Sequence, residues 1–263
     1  MLARTLDQFF TKGDVAARCL ETLDRHMIGA TGDWLWIEPS AGGGVFFDLM
    51  QFPKIGLDIM SQRADITQTD FLSWHPCHLN RKIAVVGNPP FGKNASLARR
   101  FFDHAAEFAD IIAFILPRTF EKPAFLNRLN RHMHLVLAHV LDEYSFEFDG
   151  APYSVPTVFQ IWERRETLRP VSQSIRTHRD FDFVDQPMAD FAFQRVGARA
   201  GLVSVEGLAK SPQSHYFLKA TGSQRTVFNR LKAIDWEPIK RRTAGNPSIG
   251  KGELVAAYRA VHG

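Results

Sequence analysis

The amino-acid sequence predicts an α/β protein with a doubly wound, mostly parallel sheet. Short apolar runs alternate along the first part of the chain with segments whose apolar residues are three or four positions apart. The predicted strands cover residues 34–37, 54–58, 83–87, 111–116, 134–141 and 157–162. Strands that alternate with helices are typical of a sheet covered on both faces, and the carboxyl ends of its strands form one rim where ligands bind.

The helices are predicted from apolar spacing and from the residues that end neighbouring elements. A first helix over residues 13–28 precedes the sheet, an amphipathic helix over 97–108 follows the third strand, and a short helix lies near 122–131. Pro117 ends the strand before that short helix, because proline has no amide hydrogen to donate to a neighbouring strand.

Residues 164–263 form a second, smaller region. Strands are indicated by a strand-like run over 211–218 and by phenylalanines that alternate with polar residues, namely Phe181, Phe183, Phe191 and Phe193. Helical spacing covers residues 224–234 and 249–261. This region either forms a small α+β module or extends the first sheet.

The composition fits one main domain over residues 1–163 and a basic extension over 164–263. With 263 residues, 45% of them hydrophobic and 12% aromatic, the chain can bury a substantial core. Only two cysteines, Cys19 and Cys77, are present and they lack C-x-x-C spacing, so they indicate neither a zinc site nor a disulfide framework. No apolar run is long enough to span a membrane, and we expect a cytoplasmic protein.

The two regions differ in net charge. Residues 1–163 carry a net charge of −4, whereas residues 164–263 carry 17 Lys and Arg against 9 Asp and Glu, a net charge of +8. A basic region suits a phosphate backbone, because bound Lys and Arg release counterions, although a solvated basic face has the same composition. The candidate contacts to nucleic acid are Arg195, Arg199, Lys240, Arg241 and Arg242.

The first strand runs into a glycine-rich turn. The residues that follow it are Glu38, Pro39, Ser40, Ala41 and Gly42, with two more glycines behind them. A strand, a glycine-rich turn and a helix commonly form a nucleotide-type cofactor site, because glycine lets backbone approach the ligand and the helix start offers free N–H groups. The spacing is not G-x-G-x-x-G and no G-K-[ST] follows, which argues against NAD and ATP.

Two further acidic residues follow apolar runs. Asp58 ends the second strand, and Asp70 lies just before the strand at 83–87. An acidic residue at the tip of the second strand is where ribose hydroxyls are usually held. Each one alone fits an ordinary turn carboxylate, but their order along the chain with Glu38 and Asn88 favours one shared site.

The most informative segment is Asn88-Pro89-Pro90-Phe91, directly after the strand at 83–87. The two prolines fix φ and donate no amide hydrogen, and they hold Asn88 away from the helical region. We expect a stiff turn that presents a side-chain amide, unpaired backbone carbonyls and an exposed aromatic ring. This set suits an exocyclic amine, whose hydrogens the amide and a carbonyl accept while the ring stacks on the base. An ordinary loop after a strand has the same composition.

Together these segments resemble the class I S-adenosylmethionine-dependent methyltransferases, specifically the amino-methyltransferases that modify adenine N6 in nucleic acid. The matching segments are Glu38–Gly42, Gly56–Ile59, Asp70–Phe71, Asn88–Phe91 and an N-terminal segment, Asp7–Lys12, which resembles the one that closes over the methionine end of the cofactor. The motif order resembles the gamma arrangement, with target recognition at the C-terminal end. Three glycines at 42–44 depart from the family, which often has a bulkier middle residue, and we expect a slightly more flexible loop.

The resemblance implies a Rossmann-like fold, S-adenosylmethionine as cofactor, no metal, and direct methyl transfer to a flipped base without a strong general base. The implied cofactor-binding residues are Thr11, Glu38, Pro39, Ser40, Ala41, Gly42, Asp58, Ile59, Asp70, Phe71 and Asn88. The implied catalytic turn consists of Asn88, Pro89, Pro90 and Phe91. Phe91 would stack on one face of the base and Phe146 on the other, with Phe148 and Tyr153 as alternatives to Phe146. A hairpin whose aromatic residues pack on the core is an equally open alternative for residues 144–153.

DNA is the expected partner, and three alternatives stay open. The same turn serves adenine in RNA and the planar amide of a protein glutamine, and the chain could be a catalytically inactive nucleic-acid-binding subunit. The basic extension argues against a protein substrate, and the intact turn and cofactor loop argue against an inactive subunit. The sequence leaves the recognition sequence and the oligomeric state open.

Overall fold

The computed structural model describes residues 9–27, 33–51, 53–61, 63–77, 80–243 and 245–262. The chain divides into two units, Met1–Val171 and Ser172–Gly263. Within the described residues no helix is long and apolar enough to cross a membrane.

The strands in the described part of the chain fall into a first group of ten and a second group of four. The first group comprises β1 (Phe10–Thr11), β2 (Trp34–Glu38), β3 (Lys54–Asp58), β4 (Ile66–Gln68), β5 (Lys82–Gly87), β6 (Ile111–Pro117), β7 (Met133–Val140), β8 (Phe146–Phe148), β9 (Ala151–Tyr153) and β10 (Thr157–Arg164). The second group comprises β11 (Phe181–Phe183), β12 (Phe191–Gln194), β13 (Val203–Ser204) and β14 (His215–Ala220).

Seven α-helices lie in the described part of the chain. In chain order they are α1 (Gly13–His26), α2 (Val45–Leu49), α3 (Ser96–Ala105), α4 (Pro123–Leu126), α5 (Gln224–Ala233), α6 (Glu237–Lys240) and α7 (Lys251–His262). The helix predicted near 122–131 is wrong in length, since only α4 forms. Arg169 Nη2 donates to the carbonyl of Leu126 at 2.8 Å, which takes up an acceptor at the end of this helix.

The first unit is built on a seven-stranded sheet with the order β4-β3-β2-β5-β6-β10-β7. Every neighbouring pair is parallel except the two pairs made by β10, which is antiparallel to both β6 and β7. This confirms the predicted mostly parallel α/β sheet. Every residue of β6 is buried, as expected for an apolar strand in the middle of such a sheet.

The strand order reverses between β2 and β5, which are neighbours although β3 and β4 lie between them in the chain. Right-handed crossovers on either side of this point direct the connecting segments to opposite faces of the sheet. A crevice therefore opens at the carboxyl ends of β2 and β5, where Glu38 ends one strand and Asn88 follows the other.

A small three-stranded sheet, with the order β1-β8-β9, accompanies the large one. The N-terminal strand β1 pairs with β8, so Phe10 lies opposite Glu147 and Thr11 lies opposite Phe146. The sequence did not predict β1 or β4, because strands of two or three residues are too short to show a period.

The second unit has its own antiparallel sheet, with the order β11-β14-β12-β13, so it is a separate α+β module. The alternating phenylalanines do form strands, as predicted, and Phe181, Phe191 and Phe193 are buried. Their rings lie in one core with Leu231 of α5 and Tyr258 of α7.

Candidate functional site

A cavity of about 630 Å³ opens at the carboxyl ends of the parallel strands. All eleven residues that were predicted to bind a cofactor line it, together with Pro89 and Pro90 of the turn after β5. Those eleven residues come from four separate segments of the chain plus β1, and the topology of the sheet brings them together. Their role as cofactor ligands stays a prediction.

The glycine-rich turn after β2 is tied directly to the turn after β5. Ser40 Oγ donates a hydrogen bond to the backbone carbonyl of Asn88 at 3.1 Å. The expectation that the carbonyls of the Asn-Pro-Pro turn are unpaired is therefore wrong for Asn88. Gly87 has a φ of +151°, and a Cβ on it would lie 3.2 Å from Cγ of Glu38, so glycine lets the two strand ends approach each other.

Asp58 holds the same glycine-rich turn from the other side. The backbone N–H of Gly42 donates to Asp58 Oδ2 at 2.7 Å, and that of Met60 donates to Oδ1 at 2.8 Å. Each carboxylate oxygen therefore has one backbone donor and keeps a lone pair for a further one. Asp70, at the end of the loop after β4, accepts from the N–H of Leu72 at 2.9 Å and begins the short helix that contains Phe71.

The third glycine of the turn makes room for an arginine. Gly44 has a φ of +88°, and a Cβ on it would lie only 2.1 Å from Nη1 of Arg63. The guanidinium of Arg63 donates to the carbonyl of Gly43 at 3.0 Å and pairs with Asp48 and Asp65 at 2.7 Å each. The run of three glycines at 42–44 is thus held by hydrogen bonds and ion pairs of an arginine from outside the turn.

Three polar atoms at the cavity are buried and have no hydrogen-bond partner among the described residues. They are Thr11 Oγ1, Glu38 Oε2 and Asn88 Oδ1. A buried polar atom without a partner costs free energy, about 1–3 kcal/mol for a neutral group, so such atoms in one cavity indicate a ligand that supplies hydrogen-bond partners.

Burial raises the pKa of the Glu38 carboxyl well above its ordinary value, and the nearby Asp58 and Asp48 raise it further. The backbone N–H of Phe47 and the cation of Arg63 act in the opposite direction but are outweighed. A positive charge placed in the cavity would favour the ionised form of Glu38.

The two aromatic rings predicted to stack on a target base are not exposed. Phe91 is 5% exposed, so its expected exposure is wrong, and Phe146 is fully buried, as in a hairpin whose aromatic residues pack on the core. Phe9 packs edge-to-face against each of them, with ring centroids 5.0 Å and 4.8 Å apart. Tyr153, which lies opposite Phe146 in the pairing of β8 with β9, is exposed.

The N-terminal segment reaches the cavity through the β1–β8 pairing. This pairing places Phe10 and Thr11 on the cavity wall, and a Cβ on Gly42 would lie 3.5 Å from the ring of Phe10. Asp7 and Gln8 of the predicted segment lie outside the described residues.

Several residues that line the cavity were not predicted. They are Phe9, Phe10, Gly43, Val45, Phe46, Asp48, Thr69, Leu72, Leu97, Arg100 and Phe101. Most of them adjoin a predicted motif in the chain and could have been found by extending it. Leu97, Arg100 and Phe101 belong to helix α3 or its start, where helical spacing indicates only a core-facing stripe.

Two of the basic residues predicted to contact nucleic acid are held by one acidic residue of the second unit. Lys240 Nζ lies 2.6 Å from Glu237 Oε2 and also donates to the carbonyl of Ala198 at 2.9 Å. Arg241 Nε lies 2.6 Å from Glu237 Oε1. Lys240 therefore makes its contacts within the second unit, and only 15% of its side chain is exposed. Arg241 keeps 56% of its side chain exposed.

The other three basic residues differ in their surroundings. Arg195 places its guanidinium 5.0 Å from the centre of the Tyr216 ring and donates to the carbonyl of Gln213 at 3.1 Å. Arg242 is partly buried and Arg199 is exposed. Arg199 and Arg241 are thus the most accessible cations of the predicted set.

No family model matches the chain, and no curated protein matches its sequence. Solved structures with a similar arrangement include a candidate RNA methyltransferase from Pyrococcus horikoshii, with 16% identity and a TM-score of 0.48 over 60% of this chain and 87% of that one. A candidate methylase from Haemophilus influenzae has 13% identity and a TM-score of 0.42, over 58% of this chain and 99% of that one. The N-methyltransferase NodS from Bradyrhizobium japonicum, in complex with S-adenosyl-L-homocysteine, has 11% identity and a TM-score of 0.38, over 57% of this chain and 87% of that one. Identities and TM-scores of this size do not indicate a function for this chain.

Proposed function

We propose that this protein transfers a methyl group from S-adenosylmethionine to the exocyclic N6 amine of adenine in DNA. The observation that carries the proposal is the set of three buried polar atoms without a partner around one cavity, Thr11 Oγ1, Glu38 Oε2 and Asn88 Oδ1, beside an Asn-Pro-Pro-Phe turn. The cavity lies where the strand order of the sheet reverses, which is the usual ligand site of such sheets.

The donor set fits the chemistry of S-adenosylmethionine. The cofactor supplies an electrophilic methyl group on a sulfonium cation. It also carries a charged ammonium, ribose hydroxyls and an adenine ring. Glu38 and Thr11 offer acceptors for cationic or N–H donors, Asp58 keeps lone pairs for hydroxyl groups, and Phe46, Phe71 and Phe101 provide an apolar wall. The volume of about 630 Å³ lies within the range of about 300–1,000 Å³ for small-molecule sites.

Asn88 is assigned to the target amine. Its Oδ1 accepts a hydrogen from an exocyclic amine, which leaves the nitrogen lone pair free to react. The hydrogen bond strengthens as positive charge develops on that nitrogen, so it stabilises the transition state more than the ground state. The bond from Ser40 to the Asn88 carbonyl holds the turn in place and couples it to the cofactor loop.

Entry of a target base requires Phe9 to move. Phe9 covers Phe91 and Phe146, the two rings assigned to stacking, and its own ring is only partly buried. A base that displaces Phe9 replaces one aromatic contact with another, which limits the cost of opening. The site described here is then a closed form that opens for the target.

The preference for nucleic acid is supported by the charge of the second unit. That unit carries 14 Lys and Arg against 8 Asp and Glu. Arg199 and Arg241 are its accessible cations within the predicted set, and they suit contacts to phosphates. A protein glutamine would need no such contacts.

The proposal is tested by incubating the purified chain with methyl-labelled S-adenosylmethionine and separate pools of duplex DNA, RNA and protein. We expect label in the DNA pool and N6-methyladenine in its nucleoside digest. Label in RNA alone would show that RNA is the target in place of DNA. Label in protein alone would show that the target group is a side-chain amide and not adenine. An absence of label in every pool, with the cofactor bound, would overturn methyl transfer to a macromolecule.

A further inference from the structure

Three side chains next to Phe71 form a cluster of the kind that binds a transition metal. His75, His104 and Glu107 each place one potential ligand atom within 4.8 Å of the other two. Glu107 Oε2 lies 3.1 Å from His75 Nε2 and 3.6 Å from His104 Nδ1. We infer that this cluster binds a zinc ion, separate from the methyl-transfer site and independent of the function proposed for it.

The hydrogen bonding of His104 shows which of its atoms is available. Its Nε2 lies 2.8 Å from the backbone carbonyl of Trp74. A carbonyl can only accept, so Nε2 carries the proton, and Nδ1 of the neutral ring is left with a lone pair. That lone pair faces a carboxylate oxygen of Glu107, which is also an acceptor. A cation between the ring nitrogen and the carboxylate would be held by both, in place of the hydrogen bond between His75 Nε2 and Glu107 Oε2.

The bond from His104 to Trp74 has a second consequence for a metal site. Metal-bound histidines almost always donate their other ring N–H to a carbonyl, a carboxylate or water, which fixes the orientation of the ring. His104 is already oriented in this way, and only 9% of its side chain is exposed. One ligand of the site is therefore preorganised.

The donor set and its spacing fit zinc. Two imidazoles and one carboxylate occur in zinc sites, and Zn–N and Zn–O bonds of about 2.0–2.2 Å place tetrahedral ligand atoms roughly 3.3–3.5 Å apart. Two of the separations, 3.1 and 3.6 Å, already lie near that value. His75 is on the surface, with 60% of its side chain exposed, so its ring can rotate to complete the site. Exposure also leaves an entry path and a fourth position for water.

The ion would join two segments that contribute to the wall of the cavity. His75 follows the short helix Phe71–Ser73, and His104 lies in the last turn of α3, whose Phe101 also lines the cavity. The Phe71 and His104 rings are in edge-to-face contact, with centroids 4.9 Å apart. Zinc binding is therefore expected to stabilise the first unit.

The test uses the full chain, stripped of metal with a chelator and then titrated with zinc sulfate. Bound zinc is measured by elemental mass spectrometry after desalting, and the melting temperature is measured in parallel. We expect one zinc per chain, and at about 100 times its dissociation constant a rise in melting temperature of roughly 5–10 °C. His75→Ala and Glu107→Gln should lose both effects. His139→Ala, which removes an exposed histidine of β7, should keep them.

Three outcomes would overturn the zinc site. The first is a parent protein that retains no zinc. The second is retention of zinc by His75→Ala and Glu107→Gln at the parental level, which would place the ion elsewhere. The third is an equal rise in melting temperature with magnesium, because magnesium prefers oxygen ligands and would report a nonspecific effect of divalent cations.

Discussion

The hydroxyl of Ser40 donates a hydrogen bond to the backbone carbonyl of Asn88, at 3.1 Å. Ser40 belongs to the glycine-rich turn after β2 and Asn88 to the turn after β5, 48 positions later. The strands themselves are neighbours because the order of the sheet reverses between them. One hydrogen bond thus connects the residues assigned to the cofactor with the residue assigned to the target amine.

Asp58 is expected to contribute to cofactor affinity in two ways. It offers lone pairs to the ligand and it holds the N–H of Gly42 at 2.7 Å. Asp58→Ala should weaken binding of S-adenosylmethionine by roughly 1–3 kcal/mol, the scale for hydrogen bonds to a charged acceptor. Asp58→Asn keeps one acceptor oxygen, so it should lose less affinity than Asp58→Ala. Calorimetry measures the affinity of both variants for S-adenosylmethionine. Unchanged affinity in Asp58→Ala would remove this residue from the site.

Glu38 is expected to make the stability of the ligand-free protein depend on pH. Burial raises the pKa of this carboxyl in the folded protein above its value in the unfolded chain. The folded state therefore holds this proton more tightly, so the contribution of Glu38 to stability is fully present below about pH 4 and is lost as pH rises through the raised pKa. Glu38→Gln removes this loss, and its melting temperature should exceed that of the parent increasingly as pH rises.

Glu38→Gln, which should stabilise the ligand-free protein, should weaken binding of the cofactor. Glu38→Gln removes the negative charge that would face a cationic ligand, and it should weaken binding by roughly 1–3 kcal/mol. Thermal melts and calorimetry across pH 4–9 measure the two effects, with Glu143→Gln as an exposed control on the same unit. A stability difference that shrinks with rising pH would contradict the assigned direction of the pKa.

Phe9 is expected to oppose target binding, because it packs against both rings assigned to base stacking. An aromatic pair is worth about 0.5–1.5 kcal/mol beyond its buried area. Phe9→Ala should therefore lower the KM for target DNA by roughly 2- to 10-fold. Phe10→Ala, which removes the neighbouring ring against Gly42, should leave that KM unchanged. A higher KM in Phe9→Ala would instead make Phe9 part of the surface that holds the target.

The fold and most of the cavity follow from the sequence for a physical reason. Parallel strands bring their carboxyl ends to one rim, so motifs that follow successive strands meet there whatever their separation in the chain. Glu38 and Asp58 end strands, Asn88 follows one, and Asp70 comes two residues after the short strand β4; all four line the cavity.

The predictions from sequence fail where the position of a side chain depends on a partner that is distant in the chain. Phe91 was expected to be exposed because it follows a stiff turn, but the pairing of β1 with β8 brings Phe9 against it. His75 and His104 are 29 positions apart and show no ligand spacing, so nothing local indicates that they meet. Such contacts depend on pairing between segments, which local period and composition do not encode.

Nucleic-acid affinity is expected to fall steeply with salt, by about 0.9 in log–log slope for each phosphate that the protein neutralises on duplex DNA. Lys240, Arg241 and Arg242 replaced together by Ala should flatten this slope. Among single variants, Arg199→Ala and Arg241→Ala should reduce this slope most, because Arg199 is exposed and Arg241 keeps 56% of its side chain exposed, against 15% for Lys240. Arg25→Ala, an exposed cation of the first unit, is the control. Binding that does not change with salt in the parent protein would contradict phosphate contact.

The most direct test of the account is the rate of methyl transfer by an Asn88 variant under single-turnover conditions. The substrate is an adenine-containing DNA duplex, and the product is measured as N6-methyladenine by mass spectrometry. Because the Asn88 hydrogen bond strengthens in the transition state, Asn88→Ala should lower the transfer rate by orders of magnitude while cofactor affinity stays within a few-fold of the parent. Asn229→Ala, an exposed amide on α5, should transfer at the parental rate. Transfer by Asn88→Ala at a near-parental rate would contradict the role assigned to this turn.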